Sequence, residues 1–132
     1  MEKATKTVLS DEDTDYSITH DAVRKGSLVA IFTDDPGEDY YLLKAIDESE
    51  ILDRNETDSW GSAFRKENEI IRGLYYKRKP NQVLQYQIIP KKMTIVSVNS
   101  ILCTLPINAN NAITISLSTH EDLVGLVGEC TI

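Results

Sequence analysis

The chain of 132 residues has the length of a single domain, and its hydrophobic share of 41% and charged share of 27% are those of a globular protein, not a disordered one. A formal net charge of -7 argues against a protein that simply coats nucleic acid. Only two cysteines, an opening stretch with no apolar core and no run near the ~20 apolar residues of a membrane helix argue against a disulfide scaffold, a secretory signal and a membrane span; the expected setting is intracellular, nuclear or cytoplasmic.

Residues 1–25 are dominated by Thr, Ser, Asp and Glu, hold no lasting period, and are expected to form a flexible acidic tail ahead of one domain over 26–132. Lys25-Gly26 marks a turn. Ser27–Thr33 is predicted as a strand apolar on both faces, hence covered on both sides. A turn follows over residues 34–39, where Pro36 presets φ and Gly37 is expected to take a positive φ. Tyr40–Ile46 is the second strand, antiparallel to the first, with Tyr41, Leu43 and Ala45 as its cleaner core face. Residues 47–68 are polar and acidic apart from Ile51, Leu52, Trp60 and Phe64. A loop that long implies structure of its own, with a short strand at Ile51-Leu52 and Trp60 as its anchor.

The strongest strand signal runs from Glu69 to Pro90. Two β-prone arms flank Pro80-Asn81, which predicts a long hairpin, and Gly73 inside the first arm predicts a bulge or bend where a small barrel turns a corner. Alternation assigns Ile71, Tyr75, Leu84, Tyr86 and Ile88 to the core, and Arg72, Tyr76, Lys77, Arg78 and Lys79 to the surface. Met93–Val98 is a further strand, Ile101–Cys103 a short strand or 3₁₀ turn, and Ala112–Ser118 an edge strand. Ser118 and Glu121 fit a capping box that opens a short helix over 121–127, weakened by Gly125. The sum is a mainly β fold: a small SH3-like antiparallel β-barrel with a C-terminal strand plus helix.

Charge is unevenly placed along this plan. Residues 1–60 hold 16 Asp+Glu against 6 Lys+Arg, whereas residues 61–100 hold 8 Lys+Arg against 2 Asp+Glu. The bland expectation is that acidic half and basic centre partly neutralise each other across the fold; the sharper one is a dedicated basic patch.

Several short stretches stand in a familiar order across residues 26–107. They are Gly26-Ser-Leu-Val-Ala-Ile31, Asp39-Tyr-Tyr-Leu-Leu-Lys-Ala-Ile46, Leu74-Tyr-Tyr-Lys-Arg-Lys-Pro80 and Ile95-Val-Ser-Val-Asn-Ser-Ile-Leu-Cys103. In this the chain resembles the bromo-adjacent homology domain and, more loosely, the Tudor modules. Leu74 and Tyr75 stand where that pattern carries a Trp, and Lys79 separates Arg78 from Pro80. The resemblance implies protein–protein recognition in chromatin, in some members through an aromatic cage around a methylated lysine.

Three functions stay open on the residues themselves. The first is a non-catalytic module that binds a protein or peptide at an aromatic-lined site of Tyr40, Trp60, Phe64 and Tyr76 beside Asp35 and Asp39, since aromatic faces next to carboxylates attract cations. The second is nucleic-acid contact through Arg72, Lys77, Arg78, Lys79, Lys91 and Lys92, basic side chains interleaved with tyrosines. The third is an architectural or self-assembling domain that pairs through the edge strand at 112–118. An enzyme is not expected. His20, His120, Cys103 and Cys130 lack the spacing of a zinc site, no phosphate loop or nucleophile elbow is present, and no cofactor is implied.

Overall fold

A computed structural model describes residues 23–33, 35–80 and 84–130. Most of the expected tail therefore lies outside the described residues. Val23, counted with the tail on sequence, is fully buried among Val29, Ile31, Leu43 and Ala45.

Among the described residues, ten strands and one α-helix follow in chain order. Strand β1 (Leu28–Ile31) is buried at every residue, as its two apolar faces predict, and pairs antiparallel with β2 (Tyr41–Ala45). The turn between them forms without the positive φ expected at Gly37: Asp35 Oδ1 accepts the Gly37 N–H at 2.8 Å, and its carbonyl accepts the Glu38 N–H at 3.1 Å. Residues 47–68 do carry structure of their own. They hold β3 (Glu50–Ile51) and a separate two-stranded hairpin of β4 (Glu56–Thr57) and β5 (Ala63–Phe64).

Strand β6 (Glu69–Arg78) is the axis of the molecule. One of its edges pairs with β3 and then β2; the other pairs with β8 (Thr94–Ser97) and then β7 (Gln85–Ile88). Gly73 sits where this crowding is greatest, in register with Ala45 of β2 and Thr94 of β8. Neither ladder shifts register there, so of the bulge or bend expected the bulge is absent, and the glycine serves close approach. A Cβ at 73 would lie 2.4 Å from the Lys44 carbonyl oxygen.

A 3₁₀ turn (Val98–Ser100) leads into β9 (Ile101–Leu105), which covers the free edge of β1, and β10 (Ala112–Thr114) pairs with β7. The main path thus reads β10-β7-β6-β2-β1-β9. It stays open: β9 and β10 do not pair, so the sheet is antiparallel and mainly β but is not the closed barrel expected. Helix α1 (Leu117–Cys130) packs where the two ends face each other, and Leu123 is fully buried in one cluster with Ile113, Cys103 and Leu105. The helix is longer than expected and starts earlier. Ser116, not Ser118, caps it: its Oγ accepts the Thr119 N–H at 3.1 Å, and its carbonyl takes the first helical bond from His120 N–H.

Candidate functional site

The ladder between β2 and β6 ends at Leu43↔Tyr75. Beyond that pair a cleft of about 960 Å³ opens, walled by Tyr40 and Tyr41 of β2's approach, by Tyr75 to Pro80 of β6 and its exit, and by Trp60. The acidic turn contributes Asp35 and Glu38, and β7 contributes Tyr86.

Three partly exposed rings form its outer face. Tyr41 and Tyr75 meet edge to face with centroids 5.1 Å apart, and Trp60 meets Tyr75 in the same way at 6.0 Å. Trp60 is held by an unusually well-defined loop. Asp58 Oδ1 accepts the N–H groups of Trp60 and Ser62, Asp58 Oδ2 accepts that of Ile95, and Gly61 takes φ +87°. The indole Nε1–H donates to Thr94 Oγ1 at 2.9 Å, and the Lys92 ammonium lies 3.9 Å over the ring. Trp60 is still 42% exposed.

Tyr40 and Tyr76 were expected on this outer face, and the structure corrects that. Both are core residues, 2% and 5% exposed, that reach the cleft from its inner side. Each phenol is already engaged: Tyr40 with His120 Nδ1 at 2.8 Å and with Tyr86, Tyr76 with the Asn110 carbonyl at 2.6 Å. Burial pushes Tyr40 far above its ordinary value and pushes Tyr75 and Tyr76 up to about 12, so all three stay neutral donors near pH 7. Phe64 is not at the cleft at all; it packs on Leu52, Ile70 and Ile95. Asp39 is turned away from the cleft, 3.9 Å from His120 Nε2. Of the six residues expected at an aromatic site, Tyr40, Trp60, Tyr76 and Asp35 line the cleft, Tyr40 and Tyr76 from its buried side, and Tyr41 and Tyr75 join Trp60 as its exposed rings.

The basic side chains divide in a comparable way. Arg72 is spent on a fork with Glu50 and Glu56, at 3.1 and 2.8 Å, and is not an open contact for a phosphate. Arg78 reaches across the cleft mouth to Glu38 Oε2 and the Gly37 carbonyl, both at 3.2 Å. These ion pairs tie the acidic half to the basic centre, as the bland expectation had it. Lys92 is occupied by Trp60. Lys77 and Lys79 line the cleft with no ion pair among the described residues, and Lys91 stands exposed in a turn at φ 72°. On the opposite wall, the Gly37 N–H and then the Tyr41 hydroxyl hold the Asp35 carboxyl below its ordinary value.

Elsewhere the chemistry is quiet. Burial pushes the Cys103 thiol up to about 12, which leaves it protonated and unreactive. Among the described residues no group of three His, Cys, Asp or Glu side chains is placed to hold a metal ion, and no helix is long and apolar enough to cross a membrane. Comparison with protein-family models, curated proteins and solved structures found no match.

Proposed function

We propose that the chain is a non-catalytic interaction module, a relative in plan of the small SH3-like folds, whose cleft between β2 and β6 receives a protein or peptide segment. The observation that carries this is the row Tyr41–Tyr75–Trp60: three rings meeting edge to face along one open cleft, with the Trp60 backbone and indole donors fixed from behind. Rings held this way offer large apolar area at little entropic cost, which is what interface anchors supply. Its volume falls within the range of ordinary ligand sites, and its polar rim of Asp35, Glu38, Lys77 and Lys79 can fix orientation.

The resemblance to bromo-adjacent homology and Tudor modules narrows this to a chromatin setting with a methylated lysine as ligand. Lys92 favours the chemistry and also limits it. A cation does sit over Trp60, but it is the chain's own, and an incoming quaternary ammonium would have to replace it.

The test is a peptide display panel selected on the wild-type chain, with retention measured against Trp60→Ala and Tyr41→Ala and with a single-stranded oligothymidine titrated in parallel. Selected peptides should lose about tenfold or more in affinity on either variant, as truncated aromatic anchors do. Peptides retained equally by both variants would remove the cleft as the site. Tight oligothymidine binding with a steep salt dependence, and no peptide selected, would replace the proposal with nucleic-acid contact.

A further inference from the structure

Paired strands lie only about 4.8 Å apart, which leaves no cavity between them. The cleft, however, is lined from both faces of the sheet: by Tyr40, Leu42 and Tyr76 on one and by Tyr41 and Tyr75 on the other. The backbones of β2 and β6 must therefore have parted beyond Leu43↔Tyr75.

Register shows which backbone groups that parting leaves facing each other. Ile46 N–H donates to the Arg72 carbonyl, so even-numbered residues of β2 face even-numbered residues of β6. Ala45 confirms the parity from the other edge, bonding to Ser27 and Gly26 on the β1 side. On the far edge of β6, the Tyr75 carbonyl accepts from Ile89 and Lys79 N–H donates to Gln85, so its odd-numbered residues point to β7. Past Leu43↔Tyr75 the hydrogen-bonded positions would be Leu42 with Tyr76, which flank that pair, and then Tyr40 with Arg78. The pair of Tyr40 with Arg78 does not form: Tyr40 has no backbone partner among the described residues. Two strand edges thus face one another, with Tyr40 buried at the floor of the cleft and the Arg78 side chain spanning its mouth to Glu38 and Gly37, so an entering strand has to displace that span.

We infer that the cleft binds its partner by strand addition, with an extended acidic peptide entering between β2 and β6 and pairing with the backbones of Tyr40 and Arg78. This rests on the peptide-binding role proposed above and specifies its mode and ligand class. The charge of the ligand follows from what is already neutralised. Glu38 is paired with Arg78, whereas the neutral donors Tyr41 and Gly37 keep Asp35 ionised; Lys77 and Lys79 against Asp35 leave the cleft with one net positive charge. Alternate side chains of an inserted strand would face the Tyr41–Tyr75–Trp60 row, so the ligand alternates apolar or aromatic residues with Asp or Glu.

The experiment uses the whole chain and synthetic peptides of alternating Val and Glu, each in three forms: unmodified, and N-methylated on one or the other set of alternate residues. N-methylation removes strand hydrogen-bond donors and leaves the side chains in place. Binding is read from Trp60 fluorescence, and its location from amide hydrogen exchange. The expected result has four parts: binding of the unmodified peptide; slowed exchange at the Tyr40 and Arg78 amides; loss of about tenfold or more in affinity for at least one N-methylated form; and weakening by Lys77→Glu with Lys79→Glu that a Val-Lys peptide reverses. Equal affinity for all three forms, with loss on Trp60→Ala, would overturn strand addition and keep the peptide-binding cleft. Protection at Ala112 and Thr114 in place of Tyr40 and Arg78 would move the partner to the β10 edge and overturn the inference. No binding by any form, with peptides of other composition selected at the cleft, would overturn the acidic ligand class; no peptide binding of any kind would remove both proposals.

Discussion

At position 73 an added Cβ would meet the Lys44 carbonyl oxygen at 2.4 Å and the Leu43 side chain at 2.8 and 2.9 Å, and both neighbours belong to the paired strand β2. Backbone cannot yield as a flexible side-chain tip can. Gly73→Ala is therefore expected to destabilise the fold by about 3 kcal/mol, the upper range for overpacking, read as a lowered denaturant midpoint. A midpoint unchanged from wild type would mean that β2 and β6 are not this close. The sequence marked this glycine as special because glycine weakens a strand interior, but it pointed to a bulge. The neighbour that needs the space lies some thirty residues away, and local pattern carries no trace of it. The tyrosine pairs show a related limit. Alternation requires one ring of Tyr40-Tyr41 and one of Tyr75-Tyr76 to point inward, yet a shift of one residue exchanges the faces, and β2 is apolar on both. Tyr40 and Tyr76 line the cleft as expected but are the buried rings of their pairs, and Tyr41 and Tyr75 are the open ones. Asp58 did carry a local signal, since an Asp followed by Trp60-Gly61-Ser62 suits a turn in which its Oδ1 accepts from Trp60 and Ser62; only its bond to the Ile95 N–H joins residues distant in sequence.

Among the elements, the hairpin β4–β5 makes no ladder with the main sheet and is held there by one backbone bond, from Ser59 N–H to the Met93 carbonyl, and by side chains. Arg72 of β6 is the ionic tie, joining Glu56 of β4 to Glu50 of β3, beside the bonds of Asp58 to Ile95 and Trp60 to Thr94 and the packing of Phe64. The hydrogen bond from Arg72 holds the Glu56 carboxyl below its ordinary value of 4.5. In that range the folded chain binds fewer protons at Glu56 than the unfolded chain does. The pair's contribution is accordingly complete above about pH 4.5 and is lost as pH falls through the lower folded value. Glu56→Gln should lower thermal stability near neutral pH and flatten its decline in acid, so the two curves converge once Glu56 is protonated in the folded chain as well. Parallel curves for wild type and variant would show that the pair does not link the hairpin to protonation. Helix α1 illustrates how a boundary is set from outside the element. Ser116, Ser118 and Thr119 are all capable caps, and sequence favoured Ser118 for its spacing to Glu121. Ile115 N–H bonds to the Leu84 carbonyl, which ends the extended segment at 115 and leaves Ser116 as the first free cap.

For the whole molecule, the consequence of an open sheet is that something other than a ladder must close the core. Strands β9 and β10 end the path, and residues from both share one apolar cluster with Leu123, Leu126 and Val127 of α1. The helix is thus a structural wall. Sequence could foresee the strands, whose β-branched runs are local, and a C-terminal helix; it read a closed barrel because nothing local states whether first and last strands meet. If α1 is a wall, Leu123→Ala should remove about 2–5 kcal/mol, the usual cost of truncating a fully buried leucine. The loss should also be cooperative. Trp60 lies in the cleft on the far face of β6 from α1's cluster, and far-UV circular dichroism reports the helix itself. In a denaturant titration of the variant both signals should fall at one shared midpoint, lower than that of wild type. Helix signal lost first, with the Trp60 transition left where it was, would make α1 an appendage and leave the β9–β10 opening to be closed by something else.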